Sequence, residues 1–168
     1  MRRPKHRVVY LFGMRLEEPA QPNDFLLLWE TMRPEERGEI EDAGCDQKRW
    51  LDAYAAARRT IAVKRGADLL AIAAVYDKPD GTRFLAYERT RHALEKGNRI
   101  AWLRGYAHLS RWLVMTEREQ YAHGKLLTAS PTDLPRALAV YRHAGASVVG
   151  ETEIFGRKYW ILEVKGGK

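Results

Sequence analysis

Residues 125–164 constrain the fold more than any other stretch, because they predict a strand, a helix and two further strands in that order. A short apolar run opens the stretch, and apolar side chains then recur at helical spacing. Gly145 is expected to end the helix, since glycine takes the left-handed conformation common at helix C-termini. The last two strands, 147–155 and 158–164, flank Gly156, which we expect to occupy the turn of a hairpin.

The helix of this stretch reads L-P-R-A-L-A-V-Y-R-H-A-G-A. It resembles the N-P-R-A-x-x-x-Y-x-K-x-G-F segment of the GNAT (GCN5-related) N-acetyltransferase superfamily, with Ala137, Tyr141 and Gly145 in register. Leu134 stands where Asn is usual, and Ala146 where Phe is usual. The resemblance implies that Tyr141 can protonate the leaving thiolate of coenzyme A. Packing of a half-buried helix aromatic under a sheet explains the same residue equally well.

The order of the remaining predicted elements agrees with this superfamily. A strand at 7–12 and a loop at 17–23 precede helices at 24–32, 34–44 and 46–59, strands at 60–64, 69–76 and 83–90, and a long helix. We therefore predict an α/β fold, in which helices flank a mixed, GNAT-like sheet of six or seven strands with a C-terminal β-hairpin. A single domain is expected over residues 1–168. Its predicted core comprises Ile72, Ala74, Leu85, Leu127, Trp112, Leu113, Leu138 and Tyr141.

The long helix raises the question of a cofactor. In acetyl-CoA-binding relatives it opens with Arg/Gln-x-x-Gly-x-Gly/Ala, whose backbone amides approach a pyrophosphate at the positive end of the helix. The aligned positions here are Arg104, Gly105, Ala107 and Leu109, so the arginine is retained and both diagnostic glycines are lost. Alternatively, the helix begins near Asn98, these residues form its interior, and no phosphate cradle exists there. That second interpretation is favoured.

The resemblance also implies further site residues. Leu85, Ala86 and Tyr87, on the third of three consecutive strands, align with cofactor-binding positions, so acetyl-CoA is the cofactor to test. A base must accept a proton from the amine, and Glu88 on the same strand is the best-placed candidate. Glu151 and Glu153 are the next candidates. Exposed strand carboxylates are common, and the sequence alone does not choose among the three.

Composition limits the other classes of function. The formal charge of +7 and a pI near 9.6 would attract polyanions, so non-specific contact with DNA is expected, although a basic surface also simply favours solubility. Five scattered histidines and one cysteine show no metal-ligand spacing, so no metal site is expected. Neither a signal peptide nor a membrane-spanning segment is expected, since the apolar runs are short.

A narrower resemblance covers nearly the full chain. The segments E-I-E-D-A-G, I-A-V-K-R-G-A-D-L-L-A-I-A-A-V and F-L-A-Y-E-R-T, with the C-terminal hairpin, resemble GNAT-like proteins of tailed phages, including the internal virion protein of short-tailed podophages. This implies a virion-associated protein with a degenerate acetyl-CoA site, made in the host cytoplasm, located in the virion interior and contacting other virion proteins. It is narrowly favoured over an active acetyl-CoA-dependent N-acetyltransferase. A nucleic-acid modifying acyltransferase is the third hypothesis.

Overall fold

The structure, a computed structural model, describes residues 6–42, 44–120, 125–154 and 157–164. The strands are β1 (Arg7–Leu11), β2 (Met14–Glu18), β3 (Arg59–Arg65), β4 (Asp68–Asp77), β5 (Arg83–Arg89), β6 (Leu126–Pro131), β7 (Ala146–Ile154) and β8 (Arg157–Val164). The helices are α1 (Pro22–Thr31), α2 (Pro34–Asp42), α3 (Gln47–Ala55), α4 (Arg99–Gln120) and α5 (Pro135–His143), with a 3₁₀ helix at Arg91–Leu94. Within these ranges, eight strands form a mostly antiparallel sheet in the order β1-β2-β3-β4-β5-β6-β8-β7.

The predicted α/β fold is confirmed, and the β7–β8 hairpin closes it. The turn of that hairpin, expected at Gly156, lies outside the described residues. Gly145 follows the last turn of α5 with a φ of 90°, as expected for a residue that ends a helix. Sequence reasoning therefore located the C-terminal elements to within a residue or two of their observed ends.

The sheet contains one strand more than expected, because residues 14–18 are β2 and not part of a connection. Phe12 and Gly13 both have positive φ, at 51° and 75°, as in the two-residue turns that join antiparallel strands. Met14 and Leu16 are buried and alternate with half-buried residues. This alternation is the strand signal that the charged residues of M-R-L-E-E obscured.

The described chain divides into two compact units. The first contains residues up to 76 together with 87–102, and the second contains residues 77–86 together with those from 103 onward. The first unit has an aromatic core in which Trp50 lies 5.3 Å from Trp29 and 4.5 Å from Tyr54, measured between ring centroids. The single domain predicted over residues 1–168 stays a prediction.

In the second unit, α4 supplies most of the core. Its buried side chains include Leu109, Trp112 and Leu113.

The core prediction made from the sequence is confirmed for Ile72, Ala74, Leu85, Trp112 and Leu113. It is wrong for Leu127, Leu138 and Tyr141, which are only half-buried.

Two local patterns explain these three errors. Along β6 the buried positions alternate, beginning with Leu126, so Leu127 points to the opposite face of the strand. In α5 no side chain is buried, although the helix contacts β6 and β7. The apolar face of α5 is therefore less covered than its sequence pattern predicted.

A buried ion pair joins the start of β5 to α4 within the second unit. Arg83 Nη1 lies 2.8 Å from Glu117 Oε2, and both side chains are less than one-tenth exposed. Arg83 Nε also lies 3.3 Å from Asp77 Oδ1, which is largely exposed. Because breaking a buried pair leaves an uncompensated charge, this contact fixes α4 against the first residues of β5.

The burial of Trp112 gives a test of the helix phase. Trp112→Ala should lower the free energy of unfolding by about 3–5 kcal/mol, because a large buried side chain is lost and leaves a cavity. Chemical denaturation of the purified chain measures this difference. Met115→Ala on the same helix is the control, since Met115 is 54% exposed and its loss should cost little. Equal effects of the two substitutions would contradict the observed helix phase.

Candidate functional site

The parallel pairing of β5 with β6 is unusually short. It consists of two residue pairs, Arg83↔Leu126 and Phe84↔Leu127, although both strands continue beyond these residues. At the next position the Thr128 hydroxyl donates a hydrogen bond of 2.9 Å to the carbonyl oxygen of Leu85. A side chain thus takes the place of a backbone ladder bond, and the ladder ends. Beyond this point, no further residue pair joins β5 to β6 in the described part of the chain.

Ser130 lies on the same face of β6 as Thr128, two residues further along. Its side chain is fully buried, and its Oγ has no hydrogen-bond partner among the described residues. A buried hydroxyl without a partner costs about 1–3 kcal/mol. A hydrogen bond from Ser130 Oγ to a polar atom of a bound molecule would remove this cost. Ser130 is therefore a candidate ligand contact in the second unit.

Tyr141 is placed on α5 and packs against a second tyrosine. Its ring meets that of Tyr106 on α4 edge to face, with centroids 5.6 Å apart and an interplanar angle of 83°. Edge-to-face contacts restrict the orientation of both rings. Since Tyr141 remains half-buried, the packing interpretation accounts for part of its surface, and the acid role stays a prediction.

The start of α4 decides between the two interpretations of the cofactor loop. The helix begins at Arg99, so residues 104–109 lie in its second and third turns. Their amides are used by the helix ladder, and Gly105, Ala107 and Leu109 are buried. The start of the helix agrees with the favoured interpretation, and the cofactor-binding roles of Gly105, Ala107 and Leu109 stay predictions. Arg104 is exposed on the helix surface, and a contact between its charge and a cofactor stays a prediction.

The observed first turn of α4 has the features of an anion site instead. The amides of Asn98 and Arg99 donate to the carbonyl of Glu95, and the amide of Trp102 donates to Asn98. This pattern leaves the amides of Ile100 and Ala101 as first-turn donors outside the helix ladder. A side-chain carbon built at Gly97 would meet nothing within 4 Å, so there is open space before the helix. Free amides and the helix dipole together favour a negatively charged group here.

A hydrogen-bond network within the first unit holds this helix start in place. Arg65 Nη1, at the end of β3, donates to the carbonyl oxygen of Gly97 and, at 3.3 Å, to Asn98 Oδ1. Asn98 Nδ2 in turn donates to Asp68 Oδ2 at 2.9 Å. The turn between β3 and β4 thus fixes the direction in which the first amides of α4 point.

Glu88 lies half-buried on β5, beside the aromatic core of the first unit. Burial raises the pKa of Tyr76 to about 12, and the negative charge of Glu88 contributes to this rise. Burial also raises the pKa of Tyr54 well above its ordinary value, again with a contribution from Glu88. The alternative bases Glu151 and Glu153 are exposed on β7. Glu88 is therefore the only one of the three carboxylates with a partly enclosed environment.

The other predicted cofactor residues lie on β5. Leu85 is buried, whereas Ala86 and Tyr87 are half-buried. Their binding role stays a prediction. Sequence reasoning missed Ser130 and the amides that follow Gly97. The pair Gly97-Asn98 before an amphipathic run was the available signal for the helix start, whereas Ser130 carried no local signal.

The effect of the Glu88 charge on the pKa of Tyr76 can be tested. Glu88→Gln should lower the pKa of Tyr76 from about 12, because it removes one of the two causes, but burial should keep it above its ordinary value. Carbon-13 NMR of labelled tyrosine measures this pKa, with Tyr76→Phe identifying the signal. Glu151→Gln is the matched control and should leave the pKa unchanged. An unchanged pKa in Glu88→Gln would show that Glu88 does not face this phenol.

The same raised pKa predicts how stability varies with pH. Below about pH 10, a tyrosine is protonated in the folded and the unfolded chain alike. As the pH rises towards the folded-state pKa of about 12, the unfolded chain releases the proton of Tyr76 while the folded chain retains it. The free energy of unfolding should therefore fall across this range, and it should fall less steeply in Tyr76→Phe. Identical slopes for the two proteins would contradict the burial of this phenol.

No family model matches the chain, and no curated protein matches it. Solved structures do match. A protein assigned to the GNAT-family acetyltransferases of Bordetella pertussis has a TM-score of 0.67 at 13% identity, covering 95% of this chain and 99% of its own. An N-acetyltransferase from Staphylococcus aureus has a TM-score of 0.64 at 12% identity, covering 89% and 96%.

A chimera of the Vibrio cholerae spermidine N-acetyltransferase is similar to the same extent, with a TM-score of 0.65 at 12% identity, covering 90% of this chain and 95% of its own. At such low identities these matches establish the GNAT fold. None of them bears on a phage origin. Among the described helices, none combines the length and apolar character needed to cross a membrane.

Proposed function

We propose that this protein is an acyltransferase that moves an acetyl group from acetyl-CoA to an amine. The observation that carries the proposal is the early end of the β5–β6 ladder, where the Thr128 hydroxyl replaces a backbone bond at Leu85. Parallel strands that separate in this way leave backbone donors and acceptors for an extended, amide-containing ligand. The fold shared with GNAT-family acetyltransferases supports the same chemistry.

Within the second unit, the residues present fit the pantetheine arm of acetyl-CoA. The edge of β5 where its pairing with β6 ends would bind the amides of that arm, and the Ser130 hydroxyl offers a further polar atom. When bound, acetyl-CoA supplies the acetyl group as a thioester with a thiol leaving group.

The chain's own residues would manage the protons. The Tyr141 hydroxyl would donate a proton to the departing sulfur, which is the role implied by the sequence resemblance. Glu88 would accept a proton from the attacking amine, directly or through water. Its half-buried position supports this role over Glu151 and Glu153, because a base works best where solvent is partly excluded.

Turnover by the full chain tests this function. The purified protein is mixed with acetyl-CoA and amines such as spermidine and a lysine peptide, and release of free thiol is followed. We expect Tyr141→Phe to lower kcat by about 100-fold or more, as for loss of a general acid, and to change the KM for acetyl-CoA little. Arg142→Ala, exposed on the same helix, is the control. Amine-dependent thiol release that is unaffected by Tyr141→Phe would remove the tyrosine from the mechanism.

A virion-associated role is the second candidate. It is supported by the full-length sequence resemblance and by the position of residues 104–109 inside α4, which departs from the usual cofactor loop. Contacts with other virion proteins and with DNA belong to this candidate. Absence of both acetyl-CoA binding and thiol release would favour it over the acyltransferase.

A further inference from the structure

A mixed group of potential metal ligands lies in the first unit, separate from the residues given catalytic roles above. Asp68, His92 and Glu95 each offer one ligand atom, and these atoms all lie within 4.8 Å of one another. His92 Nδ1 is 3.0 Å from Glu95 Oε1. Two ligands bound tetrahedrally to one zinc ion at about 2.0–2.1 Å lie about 3.3 Å apart. The side chains therefore need only small movements to share one ion.

The fold brings these three residues together from two places in the sequence. His92 and Glu95 are three residues apart in and just after the 3₁₀ helix, a spacing that puts side chains on one side of such a helix. Thr90 braces this helix against β4, since its hydroxyl donates to the Leu69 carbonyl at 2.5 Å and its amide donates to Leu70 at 2.9 Å. Asp68 precedes these two residues directly, so it is held beside His92.

The two carboxylates of the group have an imidazole and an amide as their hydrogen-bond partners. Among the described residues, no lysine or arginine nitrogen lies within 4.0 Å of a carboxylate oxygen of Asp68 or Glu95. Asp68 accepts a hydrogen bond from Asn98, and Glu95 contacts only the imidazole of His92. Half-buried Asp68 differs in this respect from Glu18, Asp24 and Glu117, which are each paired with a lysine or arginine. A bound cation would supply the missing positive charge.

We propose that Asp68, His92 and Glu95 form a binding site for a divalent transition-metal ion of the zinc type. An imidazole nitrogen with two carboxylate oxygens suits Zn²⁺ or Co²⁺, whereas Mg²⁺ and Ca²⁺ prefer oxygen ligands alone. Water would complete the coordination, because Glu95 is about half exposed at 52%. No metal site was expected from the sequence, because its histidines and its single cysteine show no metal-ligand spacing. The proposal does not depend on the acyltransferase function.

Metal titration of the full chain, first stripped with a chelator, tests the site. Co²⁺ binding is followed by its visible absorption, which reports imidazole and carboxylate coordination, and Zn²⁺ binding by calorimetry. We expect one ion per chain with micromolar or tighter affinity. His92→Ala should weaken binding by about 100-fold, and Asp68→Asn by at least about 10-fold, because each removes a ligand. Zn²⁺ should also raise the Tm of the parent chain, and not that of His92→Ala.

Two control variants test whether the ion binds to other potential ligands of the chain. Cys45→Ser and His143→Ala remove other potential ligands and should leave the affinity unchanged. Glu95→Gln provides a second test if His92→Ala does not fold, since Glu95 is largely exposed and its replacement preserves size. Failure to bind one ion per chain, or binding that survives both His92→Ala and Glu95→Gln, would overturn the proposal. Neither result would affect the test of thiol release.

Discussion

The arrangement of β5 and β6 depends on one side-chain hydrogen bond. The Thr128 hydroxyl donates to the Leu85 carbonyl oxygen, which a backbone amide of β6 would bond in a continuous parallel ladder. If β5 and β6 paired along their full length, the sheet would be continuous and its backbone groups would be consumed. The observed pairing ends after Phe84 and Leu127, although both strands continue. We propose that an extended ligand bonds to the backbone of β5 at this point.

Helix α4 is held by two separate sets of contacts, one near its start and one in its later turns. In the first unit, Arg65 and Asp68 hold Asn98 and so orient the first amides of the helix. In the second unit, the buried pair of Arg83 with Glu117 fixes the later turns to the start of β5. The same Asp68 also lies beside His92 and Glu95, the other two residues of the proposed metal site.

The sequence predicted the fold well because its signals are local. Helical spacing in α5, the left-handed Gly145 and the alternation in the C-terminal hairpin each depend on a few neighbouring residues. Strand β2 was missed because charged residues masked its alternation. The half-buried state of Leu138 was missed because a helical pattern shows which face is apolar, and not how completely another element covers it.

The candidate site could be predicted only in part. Tyr141 was assigned from the family resemblance and Glu88 from its place on the strand, and both roles stay predictions. The start of α4 near Asn98 is confirmed, since the helix begins at Arg99. Ser130 could not be found, since an isolated serine in a strand gives no sign that its hydroxyl is buried without a partner. Nor could the cluster around His92, because its members meet only through the pairing of β4 with the segment after β5. Sites assembled from distant residues depend on tertiary structure that local patterns do not encode.

The central claim is that this chain binds one molecule of coenzyme A. Calorimetric titration of the full chain with acetyl-CoA and with CoA tests it most directly. The account predicts binding of one molecule per chain with a dissociation constant in the micromolar range for both ligands. Absence of heat and of competition at millimolar concentrations of either ligand would contradict it, and would leave the protein with the GNAT fold but without the cofactor.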